Sequence, residues 1–395
     1  MNFLQKTTAV AAILGVTTLL GGVVACQSKD VSSGSYENGR ELKIGGIMSL
    51  TGGAAAYGQE TEKGILLAVE EINESSQGSI HYVSGDDKSD KTEAVKTARS
   101  LVEVEGVNVI VGPVISPSAL SAGKYLDEMR VPMVSTSAIQ DEVTVSDSYD
   151  RVFVSRVCFN NTFQGTVLAE FAFHDLGLRS VATIYDKTLS YSIGVSGTFK
   201  QVFEDLGGTV SYEENYSVSD TDYSSLIQKV SRFEVDALFI PGWDENVGPM
   251  LKQAGDRWDH FTLLGPESWP SNRLLSLAAG NIKTAYALSH YFPDDTNERV
   301  QAFNIAYNAK YGETPSPFAA LGYDAIKLIW DAHSRAESSD SQSMMAAINA
   351  TRNLTVVTGT ITLDEHRNAV KDAVILRVHP DRFVFHKRIV PGASE

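Results

Sequence analysis

The chain of 395 residues offers few side-chain groupings able to do covalent chemistry. Its two cysteines, Cys26 and Cys158, provide neither a disulfide framework nor a cysteine zinc site. No phosphate-cradling Gly-rich loop, no Gly-x-Ser-x-Gly elbow and no His-Glu-x-x-His helix occurs. The eight histidines are mostly scattered, and His379 and His386, among strand residues near the carboxyl end, read as solvated side chains. Asp86-Asp87 with Asp90 is acidic enough to suggest a cation site. The oxygen spacing and closing Glu of a calcium loop are missing, however, so the cluster reads as a strand end followed by a helix cap. Without a nucleophile–base pair the sequence does not read as an enzyme, and no metal or cofactor is expected.

Groups suited to holding a small molecule stand at the ends of apolar runs. Ser116 lies just after one such run and ahead of a helix pattern, so its hydroxyl and N–H are placed to meet a carboxylate. Tyr57, Tyr191, Trp243, Trp269 and Phe318 lie in loops after strands or at helix starts. Core packing competes with a binding role for each of them. Trp243, within Pro241-Gly242-Trp243-Asp244, is the hardest to assign to a core, because a strand has just ended there.

The elements that would position these residues alternate regularly. Leu42–Leu50 is an apolar run of strand length, followed by a helix pattern with Ile65, Val69 and Ile72 on one face. Ile80–Gly85 is the next strand. Asp90 and Glu93 have the spacing of a capping box that opens a helix through Ala94, Ala98, Leu101 and Val102. Val107–Val111 and Val131–Val134 follow as strands, with a helix between them. The rhythm returns after Arg156, with strands at Val181–Tyr185, Thr209–Tyr212, Ala237–Ile240 and Thr262–Leu264. Strands apolar on both faces and separated by helices imply an α/β fold with parallel sheets covered on both sides. Two such series suggest two lobes of similar build. A long helix, Ala319–Ala336, and closing strands at Thr358–Leu363, Ala373–Val378 and Phe383–Phe385 belong to one lobe or the other, and their order in sequence does not say which.

Charge narrows the partners. Against 49 Asp and Glu the chain has 33 Lys and Arg, a formal net charge of −16, which argues against a phosphate-backbone binder, since that would need a basic stripe, so no nucleic acid is expected. A hydrophobic fraction of 43% with 21% charged is that of a folded globular protein.

The first 25 residues form a separate class. Ala9–Ala25 is weakly polar to apolar and is preceded by a single charge, Lys6. It ends in Val23-Val24-Ala25-Cys26, which resembles a bacterial lipobox. That resemblance implies a signal peptide over residues 1–25, cleavage before Cys26, lipidation of Cys26 and an extracytoplasmic, membrane-tethered mature chain. An uncleaved membrane anchor and an ordinary cleaved signal peptide fit the same run. Removing the segment takes away Lys6 and no acid, which leaves a formal −17. Residues 26–40, rich in Ser and Gly, read as a flexible tether. Cys158, between Val157 and Phe159, reads as a buried small hydrophobe.

Six segments in order resemble the bacterial periplasmic solute-binding proteins of the branched-chain amino acid (leucine-binding) type, the type I receptors of ABC importers. They are Ile44-Gly45-Gly46-Ile47-Met48-Ser49-Leu50-Thr51-Gly52 with Tyr57-Gly58; Val69-Glu70-Glu71-Ile72-Asn73; and Val111-Gly112-Pro113 with Ser116 and Ser118. Arg156 through Phe163-Gln164-Gly165, Gly265-Pro266-Glu267-Ser268-Trp269, and Tyr311-Gly312 with Tyr323-Asp324-Ala325 complete the series. The likeness extends from about residue 42 to 385. It implies two Rossmann-like lobes joined by three hinge crossovers: residues 41–157 with 291–355, and residues 158–290 with 356–395.

A zwitterionic amino acid needs donors for its carboxylate and an acid with carbonyls for its ammonium, in a cleft that excludes water. Ser116 matches the family's carboxylate-binding position, and Ser137, Ala138 and Ile139 match a segment that supplies backbone groups. Glu267 matches the acid that pairs with the ammonium. Tyr57, Tyr191, Trp243 and Phe318 match the pocket wall, which favours an apolar or aromatic ligand side chain. Ile139 stands where leucine-binding relatives carry Thr, so one hydroxyl is lost, worth about 1–2 kcal/mol. The expected activity is capture of an amino acid, branched-chain or otherwise apolar, and delivery to an ABC permease by a monomeric lipoprotein. The alternative on the same fold is a lipoprotein that senses a ligand or activates a cell-wall enzyme without transport.

Overall fold

The computed structural model describes residues 41–75, 78–146, 149–338 and 340–390. The expected signal peptide, the tether and Cys26 lie outside the described residues.

The first sheet is built from β1 (Glu41–Met48), β2 (Ser79–Asp86), β3 (Val109–Val111) and β4 (Met133–Ser135). A short hairpin, β5 (Val145–Ser146) and β6 (Tyr149–Asp150), precedes its last strand, β7 (Val154–Arg156). All pairings in the order β2-β1-β3-β4-β7 are parallel, with Ile44 of β1 set between Tyr82 and Val109. Leu42, Ile44, Ile47 and Met48 are fully buried, as expected of an inner strand apolar on both faces. The crossover helices are α1 (Ala55–Glu74), α2 (Lys91–Ser100) and α3 (Ser116–Glu128). Ile65, Val69 and Ile72 form part of the buried face of α1.

Only half of the expected capping box forms. The Asp90 carboxylate accepts from the N–H groups of Thr92 (2.8 Å) and Glu93 (3.0 Å). The Glu93 carboxylate turns to Lys96 (2.6 Å), and the Asp90 N–H donates to the Asp87 carbonyl instead. Asp86 and Asp87 tie down neighbouring loops: Asp86 accepts from the Leu50 N–H (2.9 Å) and the Thr51 hydroxyl (2.6 Å), and Asp87 from the Ser49 hydroxyl (2.7 Å).

From β7 the chain crosses through α4 (Asn161–Glu170) into a second sheet. Its parallel part comprises β8 (Ser180–Asp186), β9 (Thr209–Tyr216), β10 (Ala237–Phe239), β11 (Thr262–Gly265) and β12 (Ala285–Ser289). The helices α5 (Ser190–Asp205), α6 (Ser224–Val230), α7 (Asp244–Ala254) and α8 (Asn272–Ala278) connect these strands. Within the two large sheets, two strands have no counterpart among the expected ones: β7 closes one edge of the first sheet and β12 lies inside the second. Both are short and end in polar residues, Arg156 and Ser289, so neither stands out as an apolar run.

After β12 the chain returns through α9 (Glu298–Tyr311) to α10 (Pro317–Arg335), which packs along α1 of the first sheet. Gly64 and Gly322 let these two helices touch. A Cβ on Gly64 would lie 1.8 Å from the Ala319 carbonyl oxygen, and one on Gly322 would lie 2.2 Å from that of Thr61. A third passage follows α11 (Ser341–Asn349) through a small antiparallel sheet of β13 (Leu354–Val356), β14 (Gly359–Leu363) and β15 (Ala369–Val370). The closing strands β16 (Ala373–Val378) and β17 (Phe383–Ile389) then add antiparallel to β12, which assigns them to the second sheet.

Candidate functional site

A cavity of about 510 Å3, counted to its mouth, lies at the carboxyl ends of strands from both sheets. Every turn that lines it leaves a parallel strand or starts a helix, the position where open α/β sheets gather N–H groups and loop side chains. On the first sheet, the chain leaves β3 through Val114 and Ile115 into α3, whose first residues Ser116 and Pro117 face the cavity. The Ser116 hydroxyl oxygen accepts from the Gln140 N–H at 3.1 Å, so its own O–H remains available to a ligand. After β4, Ser137 and Ile139 line the same wall. The Ser137 hydroxyl donates to the Val114 carbonyl (2.9 Å), and the Ile139 carbonyl accepts from the Asn161 N–H (2.7 Å).

Aromatic rings close the other side. Tyr57 of α1 sits 4.6 Å from Phe318 at the start of α10 and 6.4 Å from Trp243 ahead of α7, measured between ring centroids. Tyr191 of α5 lies nearly parallel to Trp243 at 6.3 Å. Each ring stands on a different element, so the wall exists only when both sheets contribute. Burial, then the Asp244 carboxylate, raises the Tyr57 phenol well above its ordinary range, which leaves it a neutral hydroxyl.

Among the described residues, Glu267, two residues beyond β11, is the only Asp, Glu, Lys, Arg or His that lines the cavity. Its N–H donates to the Gln164 side-chain oxygen at 3.2 Å, and its carboxyl group contacts Nε2 of His290. Burial pushes the Glu267 carboxyl up to about 8, against the opposing pull of Lys371, Gln164 and Arg156. Burial, then Lys371, drives His290 well below its ordinary value. Behind Glu267 lies a buried polar cluster. Lys371, lowered by burial to about 8, donates to the Thr358 hydroxyl at 2.6 Å. Arg156 donates to the carbonyls of Ala138 (2.8 Å), Gln140 (2.8 Å) and Asp141 (3.0 Å). Asp324 accepts from the N–H groups of Val357 (2.9 Å) and Thr358 (2.8 Å). Cys158 is fully buried, its thiol pushed up to about 12 by burial first and Glu267 second.

The cavity thus unites Tyr57, Ser116, Ser137, Ile139, Tyr191, Trp243, Glu267 and Phe318. Ala138 and Trp269 do not line it. The Ala138 methyl packs in the apolar cluster of the first sheet, while its carbonyl serves Arg156 and the Cys158 thiol. Trp269 is fully buried over Gly265, and its indole N–H donates to the Ile240 carbonyl at 3.0 Å. The turn that presents Glu267 points the ring two residues on into the second sheet's core, so a place in a loop after a strand does not bring Trp269 to the cavity. His290 and Lys371 were not foreseen. His290 follows β12 as Glu267 follows β11, so recognising β12 would have exposed it. Lys371, between Val370 and Asp372, carries no such signal. Among the described residues no group of three or more His, Cys, Asp or Glu is arranged to hold a metal ion.

Comparison with known proteins gives the same picture. The model of the family described as periplasmic binding protein matches residues 41–382. The leucine-, isoleucine-, valine-, threonine-, and alanine-binding protein of Pseudomonas aeruginosa is 27% identical over 328 residues, covering 82% of this chain and 86% of that protein. Among solved structures, the leucine binding protein LivK of Thermotoga maritima superposes with a TM-score of 0.83 at 32% identity, covering 89% of this chain and 99% of that one. The branched-chain amino acid transporter substrate binding protein LivJ of Streptococcus pneumoniae, solved with isoleucine, gives 0.80 at 27%, covering 88% and 100%. With two α/β sheets, a cavity at their strand ends and a family match over nearly all the described residues, this chain belongs to the periplasmic binding protein family.

Proposed function

We propose that the protein is the extracytoplasmic substrate-binding component of an ABC importer, capturing an α-amino acid with an apolar side chain. The observation that carries this reading is the composition of the cavity wall. Glu267 supplies its one carboxyl group among the described residues, Ser116 offers a hydroxyl at the start of α3, and four aromatic rings face them. A ligand ammonium pairs with Glu267, its carboxylate meets Ser116 and the α3 N-terminus, and its side chain lies against Tyr57, Trp243, Tyr191 and Phe318. A simple organic acid would bring a negative charge to a wall that carries no cation among the described residues, which is costly in a buried cleft. Ile139 contributes only an apolar surface where a Thr would add a hydroxyl. The curated relative from P. aeruginosa and the isoleucine complex from S. pneumoniae point to the same ligand class.

Residues 41–157 with 291–355 and residues 158–290 with 356–395 act as the two closing lobes, and the permease reads the closed form. Cys26 carries the lipid that holds the protein at the membrane. A thermal-shift screen of the mature chain against L-leucine, L-isoleucine, L-valine and L-phenylalanine tests the capture reading. At least one should raise the melting temperature, and Glu267→Gln should lose most of that rise. If none of the four moves it, the amino-acid assignment fails.

A further inference from the structure

We propose that His290 is a positioning residue for Glu267, a neutral imidazole that stays hydrogen-bonded to the carboxyl group in both protonation states and thereby couples ligand capture to release of one proton. The proposal rests on the reading of Glu267 as the ammonium partner.

The geometry allows His290 little else. Its side chain is 1% exposed and that of Glu267 is 6% exposed. The ring stacks on Phe159 with centroids 3.9 Å apart and planes inclined by 22°, which aims Nε2 at Glu267. Nδ1 is buried without a hydrogen-bond partner. The other titratable groups facing Glu267 are Lys371 between β15 and β16, Arg156 at the end of β7, Cys158 just beyond it and Tyr191 on α5. The two cations act through space. Lys371 donates to Thr358, and Arg156 donates to three carbonyls and the Thr144 hydroxyl.

Imidazole is the neutral side-chain ring that can either accept or donate at one nitrogen. When no ammonium is present at neutral pH, Glu267 keeps its proton and donates it to Nε2, and the ring proton resides on Nδ1. When a ligand ammonium arrives, Glu267 ionises. The carboxylate then needs a donor, and the Nε2–H tautomer provides one. The acid with an Nδ1–H imidazole holds two protons, and the carboxylate with an Nε2–H imidazole holds one. The difference leaves to solvent, and the ligand retains its own ammonium protons. Affinity for an ammonium ligand therefore rises with pH, by up to about tenfold per unit, and levels off above about pH 8.

Calorimetric titration with L-leucine from pH 6 to 9, in buffers of different ionisation enthalpy, measures both Kd and protons released. We expect close to one proton released near pH 6.5 and none near pH 9. Histidine 15N NMR of the unliganded protein at pH 6.5 should show His290 as the Nδ1–H tautomer. His290→Phe keeps the stacking ring and should raise Kd about tenfold or more through loss of a hydrogen bond to a charged group. His290→Gln, whose amide also donates or accepts, should stay within about threefold. An unliganded Nε2–H tautomer, a Kd flat between pH 6 and 8, or a Phe variant with wild-type Kd and pH slope overturns the proposal. If L-leucine does not bind the wild type, the ligand reading fails, and the histidine spectra still decide the state of the pair.

Discussion

The backbone N–H of Asp244, the first residue of α7, donates to the phenol oxygen of Tyr57, the third residue of α1, at 3.2 Å. One residue belongs to the helices of the first sheet and the other to those of the second, so this bond spans the two halves that form the cavity. Asp244 is itself fixed by the Ser271 hydroxyl (2.8 Å) and Arg273 (3.1 Å). Tyr57 therefore contributes both to the aromatic wall and to the joining of the halves.

Tyr57→Phe separates these contributions. The ring contacts with Phe318 and Trp243 remain and the cross-sheet hydrogen bond is lost, at a cost of about 1 kcal/mol. Titration calorimetry with L-leucine should show Kd raised about fivefold. Tyr57→Ala, which also removes the ring, should weaken binding much further. Equal affinities for the two variants would mean that the ring is not part of the ligand surface.

The two tryptophans near strand ends should behave oppositely. Trp243 is partly exposed at the cavity, so Trp243→Ala should abolish most of the ligand-induced melting shift and leave the unliganded protein near wild-type stability. Trp269 fills the core behind Gly265, so Trp269→Ala should cost about 3–5 kcal/mol in denaturant unfolding. A Trp269 variant of wild-type stability with lost binding would place that ring at the ligand after all.

These contrasts show what the sequence made legible. Long apolar runs such as Leu42–Leu50 disclosed the sheets, and strand-end residues such as Ser116 pointed to one end of them, because parallel sheets place function there, whereas Glu267 was marked only by the family resemblance. Trp269 was misplaced because a turn decides which of two neighbouring side chains faces outward, and that decision depends on packing against Ile240 and Gly265. Lys371 was invisible because its environment is assembled from distant segments: Asp324 and Thr358 from one side, Cys158 and Glu267 from another.

The approach of α1 to α10 sets where Tyr57 and Phe318 stand. Gly64→Val would drive a side chain into the Ala319 backbone, which cannot retreat without moving α10. Overpacking of this kind costs about 1–3 kcal/mol or more. Differential scanning calorimetry should show a lowered Tm, and the shifted Phe318 should also weaken L-leucine binding. A variant with unchanged Tm would mean that the two helices separate more easily than their packing implies.

Glu267 should carry a stability signature distinct from its role in binding. Its folded carboxyl is raised to about 8, above the ordinary unfolded value of roughly 4.3, so the fold favours the neutral acid. Its contribution is fully present below the unfolded value and is lost as pH rises, the loss being complete above about pH 8. Glu267→Gln has no proton to lose and keeps nearly the same shape. Unliganded wild type and Glu267→Gln should therefore unfold at similar urea concentrations near pH 4.5. By pH 9 the variant should be the more stable, by on the order of a few kcal/mol. His290, which can donate to the carboxylate, reduces the difference without reversing its sign. A stability gap that does not change between the two pH values would mean that Glu267 is already ionised throughout, as a solvated carboxylate would be.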